Sequence, residues 1–161
     1  MTETTTARNE TTVEADESLP HIRIVREFDA SPAAVLRAHV DPEVFVKWNG
    51  PHELDTQVRH WDARDGGSWR YVSRAADGTE YGFRGCFHTV DDAGVVVQTF
   101  AYDGFPDAVT LELTELPGGR TRLEATSLWP SFEARDGMVA SGMEQGVAEG
   151  YEQLDEVLAA G

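Results

Sequence analysis

Residues 141–158 read SGMEQGVAEGYEQLDEVL, and whether they belong to one long helix decides the fold. Val139, Met143, Val147, Tyr151, Leu154 and Leu158 recur at intervals of four, four, four, three and four, which is one apolar stripe of a 3.6-residue helix. Ser131 is a suitable N-cap. The pattern therefore predicts a helix over about 132–159, about 40 Å long at 1.5 Å per residue. Ser141-Gly-Met-Glu144 also fits a capping box, so a later start is the alternative. Gly142, Gly146 and Gly150 stand four apart beside the stripe, and each costs roughly 1 kcal/mol relative to alanine inside a helix. A bare edge on such a helix means either a close approach of backbone or space left beside it. Close packing is the simpler of the two.

Upstream of this segment the texture is that of strands. Runs at about 53–62, 68–74, 79–89, 94–102, 108–116 and 120–128 are separated by Asp65-Gly66-Gly67, Asp77-Gly78, Asp91-Asp92-Ala93-Gly94, Asp103-Gly104 and Pro117-Gly118-Gly119. Short turns of this chemistry join antiparallel neighbours, whereas parallel strands need long crossovers. An earlier run, HIRIVREF at 21–28, is a further strand. Between it and the rest lie two helix starts, Ser31-Pro32 and Asp41-Pro42, each pairing an N-cap residue with proline at N1. The second stops at Asn49-Gly50-Pro51. The order is one strand, two short helices, six antiparallel strands and one long helix, an α+β arrangement. Residues 20–161 make a single domain, and residues 1–19, polar and rich in Thr and Glu, read as a disordered acidic tail.

The stretches REFDASPAAVLRAHVDPEVFVKWNGP, WDARDGGSWRYV, DGTEYGFRGCF and SGMEQGVAEGYEQLDEVL together resemble the SRPBCC (START/Bet v 1-like) superfamily. The likeness is to its bacterial branch similar to the C-terminal domain of activators of Hsp90 ATPase. It spans about residues 21–159, and it implies the helix-grip fold: a curved antiparallel sheet of about seven strands wrapped around the C-terminal helix. The family often carries paired tryptophans before Gly-Pro, whereas this chain has Lys47-Trp48-Asn49-Gly50-Pro51. Such a fold leaves room for a cavity between sheet and helix. The resemblance also implies a protein-interaction role like that of an Hsp90-type co-chaperone, or a cyclase- or hydrolase-type enzyme using the same pocket.

The residues themselves carry little overt chemistry. His21, His39, His52, His60 and His88 are dispersed, without metal-ligand spacing, and the glycine pairs match no nucleotide-binding motif. No nucleophile elbow is present, and no residue is singled out as catalytic. Neither a metal nor a bound cofactor is expected. What remains is a set of aromatic strand faces: Trp69 and Tyr71, Phe83 and Phe87, Phe100 and Tyr102, with Met143, Gly146 and Val147 closing the space and Trp48 beside it. Arg84, Gln98 and His88 are the polar side chains expected to orient a ligand, should strand register point them inward. A concave aromatic pocket with few polar groups suits a small apolar molecule.

The formal net charge is −16, with acidic residues spread along the chain. Such a surface repels phosphate backbones and anionic membranes, so neither nucleic acid nor membrane is an expected partner. Cys86 is the single cysteine, which excludes an intramolecular disulfide and suggests a reducing cytoplasm. A homodimer is compatible with the composition.

Overall fold

The computed structural model describes residues 9–102 and 107–161. Its elements are β1 (Thr12–Ala15), β2 (His21–Phe28), α1 (Pro32–Val40), α2 (Pro42–Phe45), β3 (Asp55–Trp61), β4 (Ser68–Arg74), β5 (Glu80–Asp91), β6 (Val95–Phe100), β7 (Asp107–Leu116), β8 (Arg120–Leu128), α3 (Phe132–Ala140) and α4 (Met143–Ala160). One antiparallel sheet runs in the order β1-β2-β8-β7-β6-β5-β4-β3, with α1, α2 and α4 packed on one face. This is the expected α+β helix-grip fold.

The two helix starts are built as their residues dictate. The Ser31 hydroxyl accepts from the Ala34 amide, and the Asp41 carboxylate accepts from the Glu43 amide. At the far end of α1 the indole N–H of Trp48 donates to the Ala38 carbonyl at 2.8 Å. That of Trp61 donates to the Val40 carbonyl at 2.7 Å. Both carbonyls belong to the last turn and have no intrahelical donor. The helix end is thus stapled by two residues that also form the core.

Three expectations are corrected. First, the sheet has eight strands, because Thr12–Ala15, placed in the disordered tail by composition, pair with Val25–Ile22 of β2. The segment covers an otherwise open edge and brings Glu14 within 3.6 Å of Arg23. Residues 1–8 of that tail lie outside the described residues. Second, the single long helix is two. Gly142 adopts a left-handed conformation (φ 86°) between the end of α3 and the start of α4. Third, α3 is not part of the gripping helix. Its buried Arg135 donates to the carbonyls of Asp16, Leu19 and His21, pinning α3 over the β1–β2 connection. The gripping helix is α4 alone, 18 residues long, or about 27 Å.

α4 is fixed by two polar anchors two residues apart, Gln153 and Asp155. Arg26 of β2, 2% exposed, makes a bidentate pair with Asp155 at 2.7 and 2.6 Å and lies 4.7 Å over the ring of Phe28. Gln153 donates to the Gly50 carbonyl at 2.6 Å. Tyr151 and Leu154, both buried, reach the core with Phe28, Val35, Leu36 and Leu123. Among the described residues no helix is long and apolar enough to cross a membrane.

Candidate functional site

Between α4, the α1–α2 segment and the sheet lies a hollow of about 220 Å³. Strand alternation builds its floor from Trp69 and Tyr71 of β4, Phe87 of β5, Val96, Gln98 and Phe100 of β6, and Val109 and Leu111 of β7. Its roof is His39, Phe45, Trp48 and Asn49, with Val147 and Tyr151 of α4. The rings form a continuous network. Trp48 stacks on Tyr151 at 6.0 Å, Phe45 meets Tyr71 edge-on at 5.3 Å, and Trp69 stacks on Tyr71 at 5.4 Å.

Few polar groups reach this space. The Nδ1 of His39 donates to the Val35 carbonyl at 2.8 Å, because a carbonyl can only accept. That fixes the tautomer and leaves Nε2 as an acceptor. Burial lowers the pKa of the ring from 6.5 to about 4, against a smaller opposing effect of the Val35 contact, so the ring is neutral at pH 7. Burial raises the pKa of the Tyr71 hydroxyl, against a smaller opposing effect of the Asn49 side chain. Trp69 is 4% exposed, and its Nε1 has no hydrogen-bond partner among the described residues. Gln98 supplies both a donor and an acceptor at the floor.

One carboxyl stands on the same sheet face beyond the hollow. Asp107 opens β7 opposite Phe100 and shares strand parity with Val109 and Leu111. It is 4% exposed, its Oδ1 lacks a partner among the described residues, and burial pushes its pKa from 3.8 up to about 7. Among the described residues no group of three or more His, Cys, Asp or Glu could hold a metal ion.

Of the residues the sequence singled out, the structure gathers Trp48, Trp69, Tyr71, Phe87, Gln98, Phe100 and Val147 around the hollow. Phe83 lies on the same face but further along, packed on Tyr71 at 4.9 Å and on Tyr102 at 5.0 Å. Tyr102 follows the end of β6 and is 42% exposed. Met143 and Gly146 do not line the space. A Cβ on Gly146 would meet nothing nearer than Pro51 Cδ at 3.9 Å. Arg84 is a correction: it alternates with Phe83 and Gly85, pairs across the sheet with Arg70, and so faces the opposite side. His88, also at even parity, is exposed.

Sequence reasoning missed His39, Phe45, Asn49 and Trp61 as lining residues. Trp61 is brought inward by a register shift between Val58 and His60, which breaks simple alternation. His39 had a helical signal, lying four residues after Val35 on α1.

A sequence model of the family described as "Activator of Hsp90 ATPase homolog 1-like protein" (AHSA1) matches residues 29–159. No curated protein matches the sequence. Solved structures do. A Rhodobacter sphaeroides protein is 26% identical and superposes with a TM-score of 0.87 over 94% of this chain and 99% of its own. A protein from Arthrobacter aurescens is 27% identical, with a TM-score of 0.84 over 93% and 92%. Protein Ms6760 from Mycobacterium smegmatis, 23% identical, shares the fold with a TM-score of 0.84 over 92% and 97%.

Proposed function

The chain belongs to the AHSA1 family of Activator of Hsp90 ATPase homolog 1-like proteins, and from that premise we propose that it binds a small, largely apolar molecule between sheet and α4. The observation that carries this reading is the hollow itself, walled by aromatic rings from α2, β3, β4, β5, β6 and α4 and holding few polar groups. At about 220 Å³ it lies below the roughly 300–1,000 Å³ of drug-sized sites. An apolar cavity of about 150 Å³ is enough for benzene. The ligand is therefore a single ring or short chain rather than a sterol or a long lipid. The neutral His39 favours one hydrogen-bond donor on an otherwise apolar body, since Nε2 can only accept.

The family description points to a co-chaperone as well, and the fold is compatible with either role. Here the ligand reading is favoured because the apolar surface is turned inward: Trp48, Trp69, Tyr71 and Phe87 are each at most 6% exposed.

Native mass spectrometry of the purified protein, followed by a thermal-shift screen of small aromatic compounds, tests the proposal. A ligand at 100 times its Kd adds about 2.7 kcal/mol. For a domain of this size that is a rise in Tm of about 5–10 °C. No co-purified mass and no shift across the library would sink it.

A further inference from the structure

The opposite face of the sheet carries a second, larger cleft of about 480 Å³ over β3–β6. We propose that it binds a dianionic phosphate group on a small soluble molecule. The proposal is independent of what the inner hollow holds.

The arrangement begins with strand register. Arg70 of β4 stands directly opposite Arg84 of β5, and His60 of β3 stands directly opposite Arg70. Like charges facing each other across an antiparallel pair destabilise a sheet. On the β2–β8 half of the sheet's outer face the arginines are neutralised. Arg23 has Glu124 at 2.7 Å and Glu14 at 3.6 Å. Arg120 has Asp29 at 2.7 Å and Glu27 at 3.4 Å, and Arg122 has Glu124 at 3.9 Å. Arg70 and Arg84 have no ion pair or side-chain hydrogen bond among the described residues, although the chain carries 29 acidic residues against 13 basic ones. With acids that abundant, an adjacent uncompensated pair points to a counter-ion from outside.

The floor beneath the pair is built and rigid. At this point β5 departs from β6: the Cys86 amide donates to the Thr99 hydroxyl at 3.0 Å, and Phe87 exchanges backbone bonds with Gly66 and Gly67. Gly85 admits no side chain, since a Cβ would stand 2.1 Å from the Thr99 carbonyl oxygen and 2.5 Å from the Trp69 ring. Ser68 and Thr99 add hydroxyls to the wall, and the Ser68 hydroxyl meets His60 Nε2 at 3.0 Å.

The chemistry selects the ligand. Planar guanidinium groups recognise oxyanions through paired N–H donors. Two such groups side by side are neutralised by a phosphomonoester, which carries close to two charges at pH 7, and only half neutralised by a carboxylate. A polyanionic strand or an anionic membrane would have to approach a molecule of net charge −16.

Cys86 lines the same cleft, is exposed and is the only thiol, so it reports on the site. The experiment compares its rate of reaction with dithionitrobenzoate, an anionic disulfide, and with a neutral pyridyl disulfide. We expect the anionic reagent to be favoured several-fold in the native protein. Inorganic phosphate at constant ionic strength should remove that preference and raise the Tm. Arg70→Gln and Arg84→Gln should lose both phosphate effects while having a Tm in phosphate-free buffer at least as high as the native protein. Arg122→Gln should keep both effects. A native protein indifferent to phosphate, or phosphate effects that persist in Arg70→Gln and Arg84→Gln, would overturn the proposal. So would protection by anionic vesicles but not by free phosphate.

Discussion

His39 and Asp107 titrate in opposite senses on the way to folding, and their effects overlap in one pH window. The neutral His39 ring has its pKa lowered from 6.5 to about 4 by burial. Between those values the unfolded chain takes up a proton that the folded protein refuses. Its contribution is therefore complete above about pH 6.5 and is lost as pH falls toward 4. At 1.36 kcal/mol per unit the loss is at most about 3 kcal/mol. The Asp107 carboxyl has its pKa raised from 3.8 to about 7, so the folded protein holds a proton that the unfolded chain has released. Stability then declines as pH rises from about 3.8 to about 7, by at most about 4 kcal/mol. Asp107→Asn removes the second effect. The variant's stability relative to the native protein should climb by up to about 4 kcal/mol between about pH 4 and about pH 8. His39→Gln should do the reverse, gaining up to about 3 kcal/mol relative to the native protein as pH falls over the same range. Urea unfolding followed by tryptophan fluorescence at several pH values reads both differences directly. Two difference curves that are flat with pH would refute the reasoning, because burial alone is what drives both shifts.

The glycines of α4 separate cleanly. Gly146→Ala should raise stability by about 1 kcal/mol, since only Pro51 lies within 4 Å of the new Cβ. Gly142→Ala should lower it by a similar amount because φ is 86° there. Calorimetry of both variants checks the opposite signs. Asp155→Ala should cost about 3 kcal/mol or more by leaving Arg26 buried without its counter-charge, as measured in urea. Val147→Trp should fill the inner hollow and abolish the thermal shift from any compound that the native protein binds, with little effect on phosphate at the outer cleft.

The legible parts of this fold are those encoded by neighbours in the chain. Ser31-Pro32 and Asp41-Pro42 carry their caps within three residues, and Asp77-Gly78 supplies a turn with φ 90° where the sequence places one. The aromatic floor was readable as well, since Trp69 with Tyr71 and Gln98 with Phe100 need only alternation to share a face. The failures are non-local. β1 exists because β2 offers an edge, and nothing in TVEA announces that. The helix break at Gly142 is invisible to periodicity because Val139 and Met143 keep the spacing of four across it. Arg84 is a lapse of parity rather than of information: Phe83 and Phe87 on one face exclude it from that face.

The three evenly spaced glycines turn out to have three separate roles. Gly142 breaks the helix with a left-handed residue, and Gly146 borders open space. Gly150 brings α4 against the Trp48–Gly50 turn, where a Cβ would stand 3.4 Å from both the Trp48 oxygen and the Gly50 nitrogen. Gln153 then donates to the carbonyls of that same turn. Trp48 and Asn49 are roof residues of the inner hollow, so the height of the roof is set by backbone contact between α4 and the turn, outside the hollow. Side chains inside it are therefore relieved of holding the helix in place. Val147, Gln98 or Phe100 can change size without moving α4, which is what a scaffold needs if chains only 23–27% identical are to keep one fold.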